Sequence, residues 1–390
     1  MTNNNFDSLD VATLRARNTL KWNWYGEDVL AMWVAEMDFP TAPAVMEGVR
    51  DSVTAESFGY PIFDHPALGV ATAAWSAEHY GWTVNPMAVH AIADVLKGIE
   101  LGIDEFTAPG SPVVLPTPAY PPFFDVIKLS GRKVVESPLV LRDGKYVLDL
   151  QSIDTAFAKG AGSLILCNPY NPVGRAFDRE ELLALSEVVS KHGGRVISDE
   201  IHAPLVFGRS HIPYASLTEE TAGHTLTITA ASKAWNLAGL KCAQVITSNN
   251  ADEATWRSLN LLQTLGASTV GIAASIAAYE HGGQWLEDVM EYLEGNRELL
   301  RSELERQIPG ARLIFPEATY MAWIDFSALE LPAEPYEFFL EHAKVALKPG
   351  LEFGLEGKGH ARINFATTRK ILTESVSAMS SALVPATTTR

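Results

Sequence analysis

Residues 163–202 read SLILCNPYNPVGRAFDREELLALSEVVSKHGGRVISDEIH. Ser163–Cys167 is a short apolar run without polar alternation, the pattern of a strand covered on both faces. After a stretch punctuated by Pro169, Pro172 and Gly174, the residues Leu182, Leu183, Leu185, Val188 and Val189 recur at helical spacing and predict a helix over Arg179–His192. A second β-rich run, Arg195–Ser198, follows. Strand, helix, strand is the unit from which parallel sheets are built. The same texture extends outward in both directions, with further strand-like runs at Val113–Pro116, Lys133–Glu136, Thr225–Thr229 and Ala243–Thr247. The reading is an α/β fold with a mostly parallel central sheet in a large domain. Beyond about residue 285 the pattern changes to a long amphipathic stretch, Trp285–Ile308, then a strand-like Tyr320–Phe326, a helical Pro335–Ala346, a strand Ala361–Phe365 and a last helix. This predicts a smaller α+β domain to which the N-terminal segment returns: 45–284 for the large domain, 1–44 plus 285–390 for the small one. No internal repeat or long linker interrupts the chain.

The chain has 390 residues, 47% of them hydrophobic and 20% charged, which is ample for a large core and unlike a disordered protein. With 30 Lys and Arg against 47 Asp and Glu the formal charge is −17, and the basic residues are scattered. Nucleic acid and anionic membrane surfaces are therefore excluded as expected partners. The two cysteines, Cys167 and Cys242, suggest neither a disulfide framework nor a zinc site, and a cytoplasmic location is expected. Met1–Asp10 lacks the basic start and apolar run of a signal peptide. Ser258–Tyr279 carries no charge, but its Gln, Thr, Ser and Gly content predicts a buried helical region and not a membrane span. Ten histidines include no HExxH, so no catalytic metal is expected.

Three segments carry candidate chemistry. Asp199 ends a strand-like run, where open α/β sheets place their ligands; its alternative is a helix cap or a solvated turn. Asn168-Pro169-Tyr170-Asn171-Pro172-Val173-Gly174-Arg175 makes a rigid non-helical loop at another strand end, either a ligand loop whose Asn side chains bond a planar group or an ordinary tight turn. Lys233, flanked by Ser232, Ala234 and Trp235, is either a partly desolvated nucleophilic amine or a surface lysine. Taken together the segments suit one ligand: an aldehyde for Lys233, a ring nitrogen for Asp199, a phenolic oxygen for Asn171 and a phosphate for Ser232 and Lys241. That ligand is pyridoxal 5′-phosphate.

With these motifs, and with Lys21-Trp22, Met32-Trp33-Val34-Ala35-Glu36-Met37-Asp38-Phe39, Phe58-Gly59-Tyr60, Thr117-Pro118-Ala119-Tyr120-Pro121-Pro122-Phe123 and Arg362-Ile363-Asn364-Phe365-Ala366, the chain resembles the MalY/PatB-type cystathionine β-lyases. These are C–S lyases among the fold type I pyridoxal-phosphate enzymes of the class I/II aminotransferase superfamily. The resemblance covers nearly the whole chain. It implies that Lys233 is the lysine joined to the cofactor's aldehyde, that Asp199 keeps the pyridine nitrogen protonated, and that Tyr120 stacks on the ring. Asn171 is implied to bond the phenolic oxygen, with His202 standing where many relatives place a tyrosine for the same task. Phosphate would be held by the backbone amides of Val95 and Leu96, at the start of a helix that Asp94 is placed to cap, and by Ser232 and Lys241; Lys97 is a further candidate. Ala230 departs from the superfamily, which often has a serine there. Tyr60 is similar to a tyrosine that reaches the phosphate of the neighbouring subunit, which implies a homodimer with shared sites.

For the substrate, the resemblance assigns Arg362 to the α-carboxylate, against a surface strand arginine as its alternative. Asn171 would contribute to the same pocket. Tyr320 either lines that pocket or packs. Gly350–Gly359 reads as an active-site loop before Arg362 and not as a nucleotide loop. The implied reaction is an α,β-elimination on an S-substituted cysteine, yielding with cystathionine homocysteine, pyruvate and ammonia. An aminotransferase shares every cofactor contact and is the nearest alternative. A regulatory protein that keeps the fold and acts through a protein partner is a second.

Overall fold

In the computed structural model residues 5–384 are described; the first four residues of the polar opening segment and the last six of the chain lie outside them. The strand-like runs form a seven-stranded sheet: β1 (Val89–Ile92), β2 (Val113–Thr117), β3 (Val134–Pro138), β4 (Ser163–Cys167), β5 (Arg195–Asp199), β6 (Thr225–Thr229) and β7 (Ala243–Thr247), in the spatial order β1-β7-β6-β5-β4-β2-β3. Neighbours from β6 to β3 are parallel, and β7 alone runs antiparallel, between β6 and β1. Every residue of β2, β4 and β7 is buried, as continuous apolar runs require when both faces are covered. The helices include α1 (Pro43–Thr54), α2 (Pro66–Tyr80), α3 (Val95–Phe106), α4 (Pro121–Leu129), α5 (Leu150–Ala158), α6 (Arg179–Lys191) and α7 (Thr269–His281). Helix α6 starts where it does because Asp178 and Glu181 form a reciprocal capping box. Helix α3 lies close on the sheet because it has glycine at position 98, where a Cβ would stand 2.8 Å from Ile92 Cδ1 and 2.9 Å from Ile228 Cγ2.

The chain divides into two compact units. One comprises Thr41–Asn171 and Arg175–Leu286; the other comprises the residues up to Pro40, Pro172–Gly174, and those from Glu287 onward. The boundary expected after residue 44 thus falls four residues late and that expected after residue 284 two residues early, and three residues of the Asn-Pro loop go with the second unit. They do so because the Gly174 carbonyl accepts the amides of Glu317 and Ala318, at 2.8 and 2.9 Å. A side chain on Gly174, whose φ is +71°, would meet Pro316.

The second unit has a four-stranded antiparallel sheet of β8 (Arg312–Ile314), β9 (Met321–Asp325), β10 (Lys348–Pro349) and β11 (His360–Asn364), in the order β8-β9-β11-β10. Helices α8 (Gly283–Gln307), α9 (Pro335–Ala343) and α10 (Arg369–Leu383) accompany these strands in the chain. The N-terminal segment returns here through main-chain bonds, Asn364 to Met32 and Asp38 to Ala366, each 2.9 Å. The Asn364 side-chain Nδ2 also donates to the carbonyls of Val34 and Glu36, both at 2.6 Å. A buried ion pair locks the same segment: Lys21 Nζ lies 2.7 Å from Asp38 Oδ2, and Trp22 Nε1 donates to Asp38 Oδ1 at 2.7 Å.

Two expectations are corrected. The helix expected over Pro335–Ala346 ends at Ala343, because Lys344 takes a left-handed conformation at φ +55° and Val345–Ala346 pairs with Leu30–Ala31 as parallel strand. The uncharged run 258–279 is not one buried helical region. Asn260 and Ser268 each accept a backbone amide and begin new helices, Leu261–Thr264 and α7, and Leu262 is 81% exposed. Among the described residues no helix is long and apolar enough to cross a membrane.

Candidate active site

Because β7 is antiparallel to both β1 and β6, the carboxyl ends of β1, β2, β4, β5 and β6 all lie along one edge of the sheet. That edge is where open α/β sheets bind ligands. After β1 come Asp94, Val95 and Leu96; after β2, Tyr120; after β4, Asn171; at the end of β5, Asp199, with His202 in the following turn; after β6, Ser232 and Lys233.

Main-chain bonds fix these ends against one another. The Asn168 amide donates to the Asp199 carbonyl at 2.9 Å, and the Glu200 amide to the Ile228 carbonyl at 2.8 Å. The Asn-Pro loop is closed by Tyr170, whose amide reaches the Arg175 carbonyl at 2.7 Å and whose hydroxyl donates to the Pro116 carbonyl at 2.6 Å. Asn168 is thereby a structural residue, its Oδ1 accepting the Phe177 amide at 3.1 Å, while Asn171 sits buried farther along the loop. Tyr120 precedes α4 and meets Phe123 edge-on, with ring centroids 5.5 Å apart.

Asp199 is buried, and its Oδ1 accepts the Ile201 amide at 3.1 Å in a turn and not at a helix cap. Burial, with the nearby Glu200 carboxylate adding to it, pushes its carboxyl up to about 7 against the pull of the Ile201 amide and the Lys233 ammonium. A charged Asp199 is thus costly unless a cation lies against it, and a protonated pyridine nitrogen is such a cation. The neighbouring Cys167, paired with Asp199 in register, has its thiol pushed well up by burial and stays neutral.

Lys233 is half-buried in the turn after β6, between Ala231 and Ala234, which are both fully buried. The turn is anchored by Trp235, whose Nε1 donates to the Gly282 carbonyl at 3.1 Å. Farther along, Lys241 takes a left-handed conformation at φ +53° and reaches back to Asp94, its Nζ 2.9 Å from Oδ2. Asp94 caps α3 as expected, its Oδ1 accepting the Lys97 amide at 3.0 Å. Burial opposes ionisation of Asp94, but Lys241 and the amides of Lys97 and Leu96 prevail and hold its carboxyl below the ordinary range. The helix start with its amides, Lys241 and the half-buried Ser232 are a donor set suited to a phosphate. Lys97 turns its ammonium to Glu100 at 2.9 Å on its own helix.

Tyr60 is 91% exposed, on a segment that also exposes Phe58, Ile62 and Phe63. The segment is pinned at Asp64 by His90 Nδ1, 2.9 Å away, and by Arg257.

Arg362 and Tyr320 stand in the other unit. Arg362 is buried on β11 and is no surface arginine: its guanidinium donates to the Trp33 carbonyl at 2.8 Å and lies over the Phe353 ring, 5.2 Å from the centroid. Tyr320 is fully buried, with its hydroxyl donating to the Ala35 carbonyl at 3.1 Å. Gly350–Gly359 folds into two short 3-10 turns, Gly350–Phe353 and Leu355–Gly357. Among the described residues no group of three or more His, Cys, Asp and Glu is arranged to hold a metal.

Sequence reasoning missed the pairing of Lys21 with Asp38 and that of Glu200 with His211. The signal for the first was present, since both residues lie in segments singled out as family marks. For the second there was none beyond its place after Asp199.

Residues 27–379 match the family model described as aminotransferase class I and II. A cystathionine beta-lyase of Corynebacterium glutamicum is 40% identical over 374 residues, covering 96% of this chain and 99% of the relative. The cystathionine beta-lyase PatB of Bacillus subtilis (strain 168) is 34% identical, covering 94% and 96%. Among solved structures, the PLP-bound C–S lyase from Staphylococcus hominis has a TM-score of 0.89 at 28% identity, covering 98% of this chain and all of the other.

Proposed function

The chain belongs to the aminotransferase class I and II family, and from that premise we propose that it is a pyridoxal-phosphate-dependent carbon–sulfur β-lyase. It cleaves cystathionine or a related S-substituted cysteine to a thiol, pyruvate and ammonia by α,β-elimination. The observation that carries the reading is full-length similarity to cystathionine beta-lyases in a chain that keeps Lys233, Asp199 and Arg362. The fold is the fold type I, aminotransferase-like architecture, with its mostly parallel seven-stranded sheet.

When bound, the cofactor supplies an electron sink for the pair left at the substrate's Cα. The residues of the chain do the rest. Lys233 would hold the cofactor, and its freed amine would take the Cα proton. Asp199 would accept the N–H of the pyridine ring and so keep that nitrogen protonated, which makes the sink effective. Asn171 and His202 would bond the phenolic oxygen, Tyr120 would pack on the ring, and the Val95 and Leu96 amides, Ser232 and Lys241 would take the phosphate. Arg362 receives the substrate carboxylate; its bond to Trp33 and its place over Phe353 support a fixed orientation. The exposed apolar segment carrying Tyr60 supports a homodimer in which Tyr60 reaches the phosphate of the neighbouring subunit. Two buried, unbridged cysteines support a cytoplasmic location.

The test is incubation of the purified holoenzyme with cystathionine and no 2-oxo acid. Pyruvate, ammonia and thiol are expected in equal amounts over many turnovers. Turnover strictly dependent on an added oxo acid would mean an aminotransferase instead. Arg362→Lys is expected to raise KM for cystathionine about tenfold or more with a smaller change in kcat, because the planar guanidinium matches a carboxylate at two points and an ammonium does not. Steady-state kinetics at saturating cofactor read this directly.

A further inference from the structure

Glu200 and His211 form a buried acid–base pair that none of the roles above uses. The Glu200 Oε1 accepts the Ser198 hydroxyl at 2.9 Å and the Tyr214 amide at 3.0 Å, and its Oε2 faces His211 Nε2 at 2.8 Å. The two side chains are 3% and 1% exposed. His211 Nδ1 has no hydrogen-bond partner among the described residues, so the imidazole's one such bond there goes to Glu200. The ring of Tyr80 packs edge-on against His211, with centroids 5.4 Å apart. Glu200 follows Asp199 directly in the chain, and its negative charge opposes ionisation of Asp199, whereas Lys233 favours it.

We infer that His211 is a positioning residue for the cofactor: by offsetting the buried charge of Glu200 it keeps Asp199 available as the anion for the pyridine nitrogen. This rests on the reading of Asp199 as the ring-nitrogen partner. Two adjacent buried carboxylates cannot both ionise cheaply, and one of them retains a proton unless a cation is supplied. Lys233 is committed to the cofactor's aldehyde, and Cys167 is neutral. His211 is a basic group in direct hydrogen-bond contact with Glu200, its Nε2 2.8 Å from Oε2. Without it Glu200 is an uncompensated charge that drives the proton onto Asp199, which then no longer serves the ring. Removing the Glu200 charge as well removes the conflict.

The experiment titrates full-length protein, stripped of cofactor, with pyridoxal 5′-phosphate and follows the absorbance of the bound cofactor as a function of pH. His211→Gln, Glu200→Gln, the double variant and Asp199→Asn are compared with the parent, and apoprotein melting temperatures are recorded. His211→Gln is expected to weaken cofactor binding about tenfold or more, equivalent to one unit or more of altered proton affinity, and to shift the pH dependence of the absorbance. Glu200→Gln should bind at least as tightly as the parent, and the double variant should return to within about twofold of it, a non-additivity that only direct coupling produces. The inference is overturned if the double variant binds no better than His211→Gln, if Glu200→Gln binds more weakly than the parent, or if His211→Gln lowers the melting temperature while binding and titrating as the parent does. Parent-like binding by Asp199→Asn would remove the reading of Asp199 itself, and the inference with it. Weak binding by Asp199→Asn with parent-like His211→Gln would leave that reading standing and remove only the coupling.

Discussion

Lys233→Ala is expected to lower pyruvate release from cystathionine by roughly 10²- to 10⁴-fold, the range lost when a positioned proton-transfer group is removed. The loss has two parts. On the proposed reading the amine that takes the Cα proton is gone, and so is the covalent hold on the cofactor, which would then stay only through its ring and phosphate contacts. The fold should not suffer. Lys233 is half-buried in a turn whose anchors are other residues, Trp235 bonded to Gly282 and the Leu237 amide bonded to the Ser232 carbonyl at 2.8 Å. A melting temperature within a few degrees of the parent, with activity lost, is the expected pair of results. Activity within a few-fold of the parent would mean that another group carries the proton.

Asp38→Ala is expected to cost about 3–5 kcal/mol of stability, measured by denaturant unfolding, with a correspondingly lower midpoint. The estimate rests on what the substitution strands. Lys21, 1% exposed, would be left without the carboxylate 2.7 Å away, with the Glu36 carbonyl at 3.1 Å as its remaining hydrogen-bond acceptor; Trp22 Nε1 would lose its acceptor. Replacing both partners, as in Lys21→Met with Asp38→Ala, should cost less than Asp38→Ala alone, because no buried charge is then left unpaired. A loss below about 1 kcal/mol for Asp38→Ala would show that the pair is relaxed by water. The effect bears on function through position: the segment tied down by Asp38 includes Trp33, whose carbonyl holds Arg362.

Much of this architecture was legible because the physics is local. Ser163–Cys167, Thr225–Thr229 and Ala243–Thr247 are strands at the residues expected, since short apolar runs between turn signals have few other uses. The strand-end residues followed from those strands. What was not legible depends on partners distant in the chain or on single backbone conformations. Nothing in Ala243–Thr247 says that this strand runs opposite to its neighbours. The left-handed turn at Lys344 ends a helix whose apolar pattern continues beyond it, and the caps at Asn260 and Ser268 divide a run that composition alone joins. Likewise, Glu200 meets His211 across an intervening turn, and only the folded chain shows that they share a proton-bearing contact.

The central claim, that Lys233 carries the cofactor of this lyase, is tested most directly by borohydride reduction of the holoenzyme followed by proteolysis and mass mapping of the peptides. The account predicts one modified peptide, bearing the reduced pyridoxyl phosphate group on Lys233, with the nearby Lys241 unmodified. A modification on Lys241 or another lysine, or none in protein saturated with pyridoxal 5′-phosphate, would contradict it.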